Sequence, residues 1–399
     1  MQVDARRTRI AVAAAFAAQG LGFAVLLSHV PAFKERYDIE DGIVTAVLFG
    51  VAVLAGVGTV LAERVAGRRG SGLVLRVALA TVGLAIAVIA VAPDLPVFFL
   101  GFAIYGVAVG GVDASQNMQA VALQHRYGRS ILTSFHAAWS AGGIAGALYT
   151  AGTEGLDLSL VLVLLAAAAL VLAIAAVAGG RLAPITSVRP EPDVALDRAV
   201  APAPWRPILL LGTAVVCFYV ADSGTSTWSA DYLHEVLHTS KGVAALALAA
   251  YLGASLVSRL VGDHAVRRIG GPAVVRTGGL GGASGLLLVV VAQQPVVAIA
   301  GFAVLGLGIG VIAPLSFAAA GELSPGAADT VVAQLNVFNY VGVIVGGAVV
   351  GLFGSAGVLR AGFVVPLLLT LAIVALAPAF HPRPVAETPA TALELDGGR

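Results

Sequence analysis

Two aspartates, Asp113 and Asp222, stand inside long runs of alanine, valine, leucine and glycine. An aspartate at the centre of an apolar helix costs about 2.5–3.5 kcal/mol on insertion scales, and such residues generally face an interior cavity. Asp113 is followed at i+3 and i+4 by Gln116 and Asn117, so all three project from one helical face. His136 lies in the next apolar run at a comparable depth, and Trp139 follows it by one turn. A carboxyl beside an imidazole can exchange protons near neutral pH, which proton coupling requires. The same residues could instead form a structural Asp–His–Asn knot between two helices. Asp222 is followed by Thr225, Ser226 and Trp228, while Gln19 is central in the first apolar run. A late run offers Gln334, Asn336, Asn339 and Tyr340. Amides and indoles suit a neutral hydroxylated or aromatic ligand, by hydrogen bonding and ring stacking, and either asparagine could equally serve packing or capping.

Other chemistries lack their residues. No Ser-His-Asp set falls at one depth, and no His-Glu-x-x-His, metal-ligand cluster or P-loop is present. Neither enzymatic catalysis, a metal, a cofactor nor ATP-driven transport is expected. Cys217 is the one cysteine, so no intramolecular disulfide can form, and its apolar surroundings suit a small core residue.

The elements that carry these residues follow from composition. Of 399 residues, 59% are hydrophobic and 11% charged, and the mean hydropathy is +0.95. Soluble domains carry about 25% charged residues, so most of this chain must be solvated by lipid. A net charge of +1 gives no basic face for nucleic acid. Twelve apolar runs are each long enough to cross a bilayer as a helix. They lie at 9–30, 42–62, 71–92, 96–120, 131–152, 158–179, 207–230, 242–261, 272–292, 296–320, 329–353 and 358–380. They are too long and too continuously apolar for barrel strands. The expected fold is therefore all-α and integral to the membrane.

Arginine placement orients the runs. With both termini cytoplasmic, only Lys34, Arg36, Lys241 and Arg360 of the 23 basic residues fall outside. That is the positive-inside pattern of a multi-pass protein of the bacterial inner membrane. Arg76, Arg259 and Arg276 read as helix-end residues on the same inner side. Arg6-Arg7 before the first run could mimic a cleaved signal, but cleavage would leave eleven spans.

Eleven spans would break an internal repeat. Shifting the chain by 200 positions lays GFAIYGVAVG (101–110) on GFAVLGLGIG (301–310). Glu63 then meets Asp263, Arg68 meets Arg268, Arg76 meets Arg276, and Gly142 and Gly146 meet Gly342 and Gly346. Asn336 and Asn339 are the counterparts of His136 and Trp139. Two six-helix repeats starting on the same side are parallel repeats, the two-half arrangement of secondary transporters. The expected organisation is a first bundle at 1–180, a Pro-rich cytoplasmic linker at 181–206, a second bundle at 207–381 and a cytoplasmic tail at 382–399. Glycines at four-residue spacing, such as Gly142/Gly146 and Gly306/Gly310, favour close helix approach. Pro314 in the tenth run is expected to bend its helix.

Six plus six spans, a long middle loop and an acid-arginine segment after the second span of each half resemble the major facilitator superfamily. The segments read Glu63-Arg64, Gly67-Arg68-Arg69 and Gly262-Asp263, Arg267-Arg268, Gly270. Asp113 to Gly146 and Trp228-Ser229 look closer to its fucose-permease-like members. The resemblance implies a monomeric secondary transporter that moves a small organic solute by alternating access. Its first, fourth, seventh and tenth helices would line the cavity, placing Asp222 there. Protons are the expected coupling ion, although Gln19 stands where a fucose-permease-like protein would carry an acid. Import of a sugar-like solute and efflux of a drug-like one both fit. Glu63, Arg68, Asp263 and Arg268 read as conformational latches at inner helix ends. The competing class is a non-transporting sensor or scaffold, which would tolerate neutral residues at Asp113 and Asp222.

Overall fold

Inside a bilayer every backbone N–H and C=O must find its partner within the chain, and apolar runs do so as helices. A computed structural model describes residues 5–154, 156, 158–182, 205–324, 327–355 and 358–381. Among these residues each of the twelve apolar runs contains a long helix. The first half comprises α1 (Ala5–Ser28), α2 (Asp41–Arg69), α3 (Ser71–Val91), α4 (Leu95–Tyr127), α5 (Leu132–Glu154) and α6 (Leu160–Gly179). The second comprises α7 (Trp205–Asp231), α8 (Lys241–Ile269), α9 (Gly271–Val291), α10 (Pro295–Leu323), α11 (Ala328–Ser355) and α12 (Leu359–Phe380). Eleven of them are long and apolar enough to read as spans by length and composition. The twelfth, α5, carries Thr133, Ser134, His136 and Ser140.

The packing repeats with the sequence. In the first half α1 lies on α5, α2 and α3 on α4, and α3 on α6; α7 on α11, α8 and α9 on α10, and α9 on α12 reproduce those contacts. The halves meet along α2 with α11 and α5 with α8. Leu148, Val177, Leu260 and Leu352 face outward, where lipid is as good a solvent as a core. One buried apolar cluster fills the first half. Another fills the second half and crosses the interface to Phe16, Met118 and Phe135.

Three boundaries differ from the expected ones. Helix α2 runs to Arg69 rather than 62, α8 to Ile269 rather than 261, and α4 to Tyr127 rather than 120. A 29-residue helix is about 43 Å long, well beyond the ~30 Å hydrocarbon core. The acid-arginine segments expected as loops are therefore the protruding ends of α2 and α8. Each turn into the next helix is a single glycine, Gly70 at φ 85° and Gly270 at φ 80°, which a Cβ would strain. Of the expected linker, Arg181 and Leu182 follow α6 and Trp205-Arg206 already open α7. Residues 183–204, and the expected tail at 382–399, lie outside the described residues.

Two basic residues at the end opposite the arginine-rich one have local work. Arg36 donates to the carbonyls of Ala90 (3.0 Å) and Ala92 (2.9 Å) at the C-terminus of α3. Arg360 donates to those of Val290 (3.1 Å) and Ala292 (2.7 Å) at the C-terminus of α9. Both answer helix carbonyls that lack intrahelical donors and complement the negative helix end.

Helix α10 is interrupted after Ile309 and restarts at Ile312. The cause is Pro314, which has no N–H to give the carbonyl four residues back, at Gly310.

Gly142 of α5 carries the α1–α5 contact: a Cβ there would lie 2.0 Å from the Ala17 carbonyl oxygen. Gly142→Leu is expected to cost at least about 1–3 kcal/mol by overpacking and to lower the melting temperature of detergent-solubilised protein by several degrees. Gly50→Leu, where nothing lies within 4 Å, is expected to leave it unchanged. Equal melting temperatures for the two variants would remove the role given to Gly142.

Candidate functional site

Asp113 projects from α4 towards the other half. Its Oδ1 accepts hydrogen bonds from Gln19 Nε2 on α1 (2.6 Å) and Gln116 Nε2 (3.4 Å). Its Oδ2 accepts from the hydroxyl of Tyr340 on α11, so one carboxyl is held by both halves. Gln116 also donates to Gln19 Oε1 at 2.6 Å, which fixes both amides. Asp113 is only half-buried despite its central position, so it borders open space between the halves.

Asp113 and His136 are brought to one neighbourhood but do not touch. Asn117 stands between them: its Nδ2 donates to the Asp113 backbone carbonyl (2.9 Å), and its Oδ1 faces His136 Nε2 at 3.3 Å. Because the amide nitrogen must face a carbonyl, the amide oxygen takes the imidazole proton, which assigns that proton to Nε2. The imidazole lies between Phe16 (centroids 5.2 Å) and Phe317 (6.2 Å), a largely apolar slot. Trp139 is half-buried against Phe23, with ring centroids 6.0 Å apart.

Asp222 of α7 is also half-buried, and its Oδ1 accepts from the Tyr251 hydroxyl of α8. Tyr219, one turn away, lies within electrostatic range of both aspartates. Trp228 points elsewhere: its Nε1 donates to the Gly347 carbonyl (2.9 Å) and its ring covers Gly351, joining α7 to α11.

Arg259 is the functional candidate that sequence reasoning missed. Its place near the end of an apolar run reads as that of a topology-setting arginine, but α8 continues ten residues past it to Ile269. Its guanidinium therefore sits within the bundle, half-buried, within electrostatic range of His136 and Asp222. Nε donates to the Gly310 carbonyl at 3.1 Å, the carbonyl that Pro314 leaves without its helix partner. Nη1 donates across the interface to Ser140 Oγ at 2.5 Å. The available signal was its repeat counterpart, Thr59, which is not basic.

Thr59 makes the sister node. Its Oγ1 donates to the Gly110 carbonyl (3.2 Å) and accepts from Asn336 Nδ2 across the interface (3.0 Å). Asn339 Nδ2 donates to Asn336 Oδ1 at 2.7 Å, and both asparagines are buried. They lie in the seam between the halves rather than on the open space, where Tyr340 stands instead.

Of the expected latch residues, Asp263 crosses the interface. Its Oδ1 accepts from Ser130 Oγ (2.8 Å) and the Thr133 amide (3.1 Å), and its Oδ2 from the Ser134 amide (3.0 Å). A carboxylate from one half thus answers the amides that open α5 in the other, where the helix end is positive. Arg267, not Arg268, accompanies it by donating to the Ser130 carbonyl at 2.9 Å. Glu63, Arg68 and Arg268 have no such bond among the described residues.

Two pseudo-equivalent helical halves, joined at their arginine-rich ends around a polar centre, define a two-bundle membrane transporter. The sequence pattern of the Major Facilitator Superfamily matches residues 3–147 and 211–396, and the chain belongs to that family. It is 28% identical over 379 residues to the uncharacterized transporter y4wD of Sinorhizobium fredii, covering 92% of this chain and 96% of that one. Among solved structures, FucP in its outward conformation superposes with a TM-score of 0.75 at 15% identity, over 94% of this chain and 98% of that one. The human organic anion transporter MFSD10 (TETRAN) gives 0.74 at 17% identity, over 94% and 100%. The likeness to these two structures is one of fold. As a superfamily member the chain is a secondary transporter rather than an enzyme.

The Asp263 node and its bare counterpart Glu63 make an internal comparison. Asp263→Ala removes a cap typically worth about 0.5–2 kcal/mol. With Cys217, buried at 3% exposure, replaced by Ala, a cysteine reporter replacing Ser134 should alkylate several-fold faster in Asp263→Ala and at an unchanged rate in Glu63→Ala. Equal rates in both variants would place the holding force elsewhere.

Proposed function

We propose that the protein moves a small organic solute across the bacterial inner membrane by alternating access, with proton transfer at Asp113 coupled to the movement. The observation that carries this reading is the pair of bonds Asp113 accepts from opposite halves, Gln19 on one and Tyr340 on the other. Hydrogen bonds to an ionised carboxylate are about twice as strong as neutral ones. A proton on Asp113 weakens the Tyr340 bond and so loosens one tie between the halves. A ligand or proton shifts a conformational equilibrium only through contacts that differ between the states, and this tie is such a contact.

The remaining residues take roles around that tie. Tyr219, Trp139 and the Asp222–Tyr251 pair border the solute, with Asp222 as a second protonatable group. Asn117 and His136 relay the state of Asp113 to α5. Asp263 and Arg267 hold the arginine-rich end closed and release it when the cavity turns. That end faces the cytoplasm with both termini, as the arginine bias supports; a C-terminal green fluorescent protein fusion should be bright and an alkaline phosphatase fusion inactive, and the reverse pattern would invert the assignment. FucP, a fucose:proton symporter, and MFSD10, an organic anion transporter, share the fold but differ in solute, so the fold does not choose the solute class.

The test uses proteoliposomes with a trapped pH-sensitive dye, challenged with monosaccharides, organic acids and amphipathic amines. At least one solute class should move protons in the wild type, and Asp113→Asn should abolish that movement while solute exchange between equal pools persists. Solute flux without proton movement, or an Asp113→Asn variant that still moves protons, would overturn the coupling.

A further inference from the structure

The two interface nodes form an internal control on what the fold requires. At each, a side chain from the second helix of a half donates to a carbonyl of the fourth helix and meets the other half: Thr59 with Gly110 and Asn336, Arg259 with Gly310 and Ser140. The first node closes with neutral groups alone. A guanidinium is thus not needed to build this joint, although a charge within a membrane-spanning helix is costly to insert.

What the guanidinium offers beyond the joint is charge and spare donors. Nε and Nη1 are engaged by two neutral oxygens, and Nη2 has no hydrogen-bond partner among the described residues. Among the described residues no carboxylate hydrogen-bonds to the guanidinium: Asp222, although within electrostatic range, gives its Oδ1 to the Tyr251 hydroxyl. Arg259 is half-buried and so reaches open space. Buried charges are normally paired, and the planar fork of arginine matches two oxygens of a carboxylate. Ser140 Oγ accepts from the same guanidinium and gives its own hydrogen to the His136 carbonyl (3.2 Å), so it fixes the guanidinium at the interface and leaves anion binding to the arginine.

We infer that Arg259 is the anchor of an anion subsite, and that the transported solute carries a carboxylate which it grips from the open space between the halves. This rests on the transporter reading above and narrows its solute class. The subsite straddles the interface, because Ser140 belongs to one half and Arg259 to the other. A carboxylate bound to Arg259 therefore acts on a group that already ties the two halves together, and is sensed by their rearrangement.

The test is a thermal-shift titration of the full-length protein in nanodiscs with matched probes: gluconate against glucose, and benzoate against benzamide. A carboxylate should raise the melting temperature while its neutral partner does not. Arg259→Thr copies the sister node, so its hydroxyl can still serve the Gly310 carbonyl and the variant should fold. It is expected to weaken carboxylate binding at least about tenfold, and Arg259→Lys, which keeps charge without the fork, less. Shifts that are equal for acid and neutral probes, no shift with either acid, or undiminished carboxylate binding in a folded Arg259→Thr would each overturn the subsite. Carboxylate binding by the wild type together with solute flux that moves no protons would sink the coupling and leave the subsite standing.

Discussion

A guanidinium and two carboxyls carried on membrane-spanning helices are costly unless polar groups answer them. This chain answers them largely across the interface between its halves. Asp113 takes donors from α1 and α11, and Arg259 gives donors to α10 and α5. The polar groups that lipid would penalise most are thus the ones that tie the two bundles together. Any motion that separates the bundles must first find these groups new partners, and protons and a charged solute are such partners.

The interface has the symmetry of a repeated fold and the asymmetry of a working site. Gly110 and Gly310 present carbonyls at corresponding places, and residues 59 and 259 meet them. Pro314 makes the difference. It denies Gly310 its helix N–H, interrupts α10, and leaves an oxygen that a guanidinium can approach. On the other side the helix is intact and a threonine suffices. Asp263 and Glu63 diverge similarly: one caps the opening turn of α5, while the other makes no bond among the described residues.

Much of the candidate site was legible in the sequence because charge is conspicuous in an apolar run. Asp113 and Asp222 stood out for that reason, and the i+3, i+4 spacing placed Gln116 and Asn117 beside Asp113. What the sequence could not supply was partners. It paired Asp113 with His136 by depth, whereas Asn117 separates them and Tyr340, 227 residues away in the chain, takes the bond. Trp228 and the two asparagines looked like ligand groups, yet one joins α7 to α11 and the others lie in the seam. Arg259 was masked by the topology signal, since an arginine near the end of an apolar run looks the same whether its helix stops or continues.

Sequence alone determined the number of spans, the repeat and the family, because lipid imposes a length and a polarity on each helix that can be read locally. It could not decide where α2 and α8 end, since apolar length reports the hydrocarbon core and helices outlast it. Nor could it decide which polar side chains meet. Those contacts depend on the rotation and approach of packed helices, set by glycines such as Gly142 and by the break at Gly310. Tertiary structure alone turned a list of costly residues into a network, with one guanidinium that the network does not fully use.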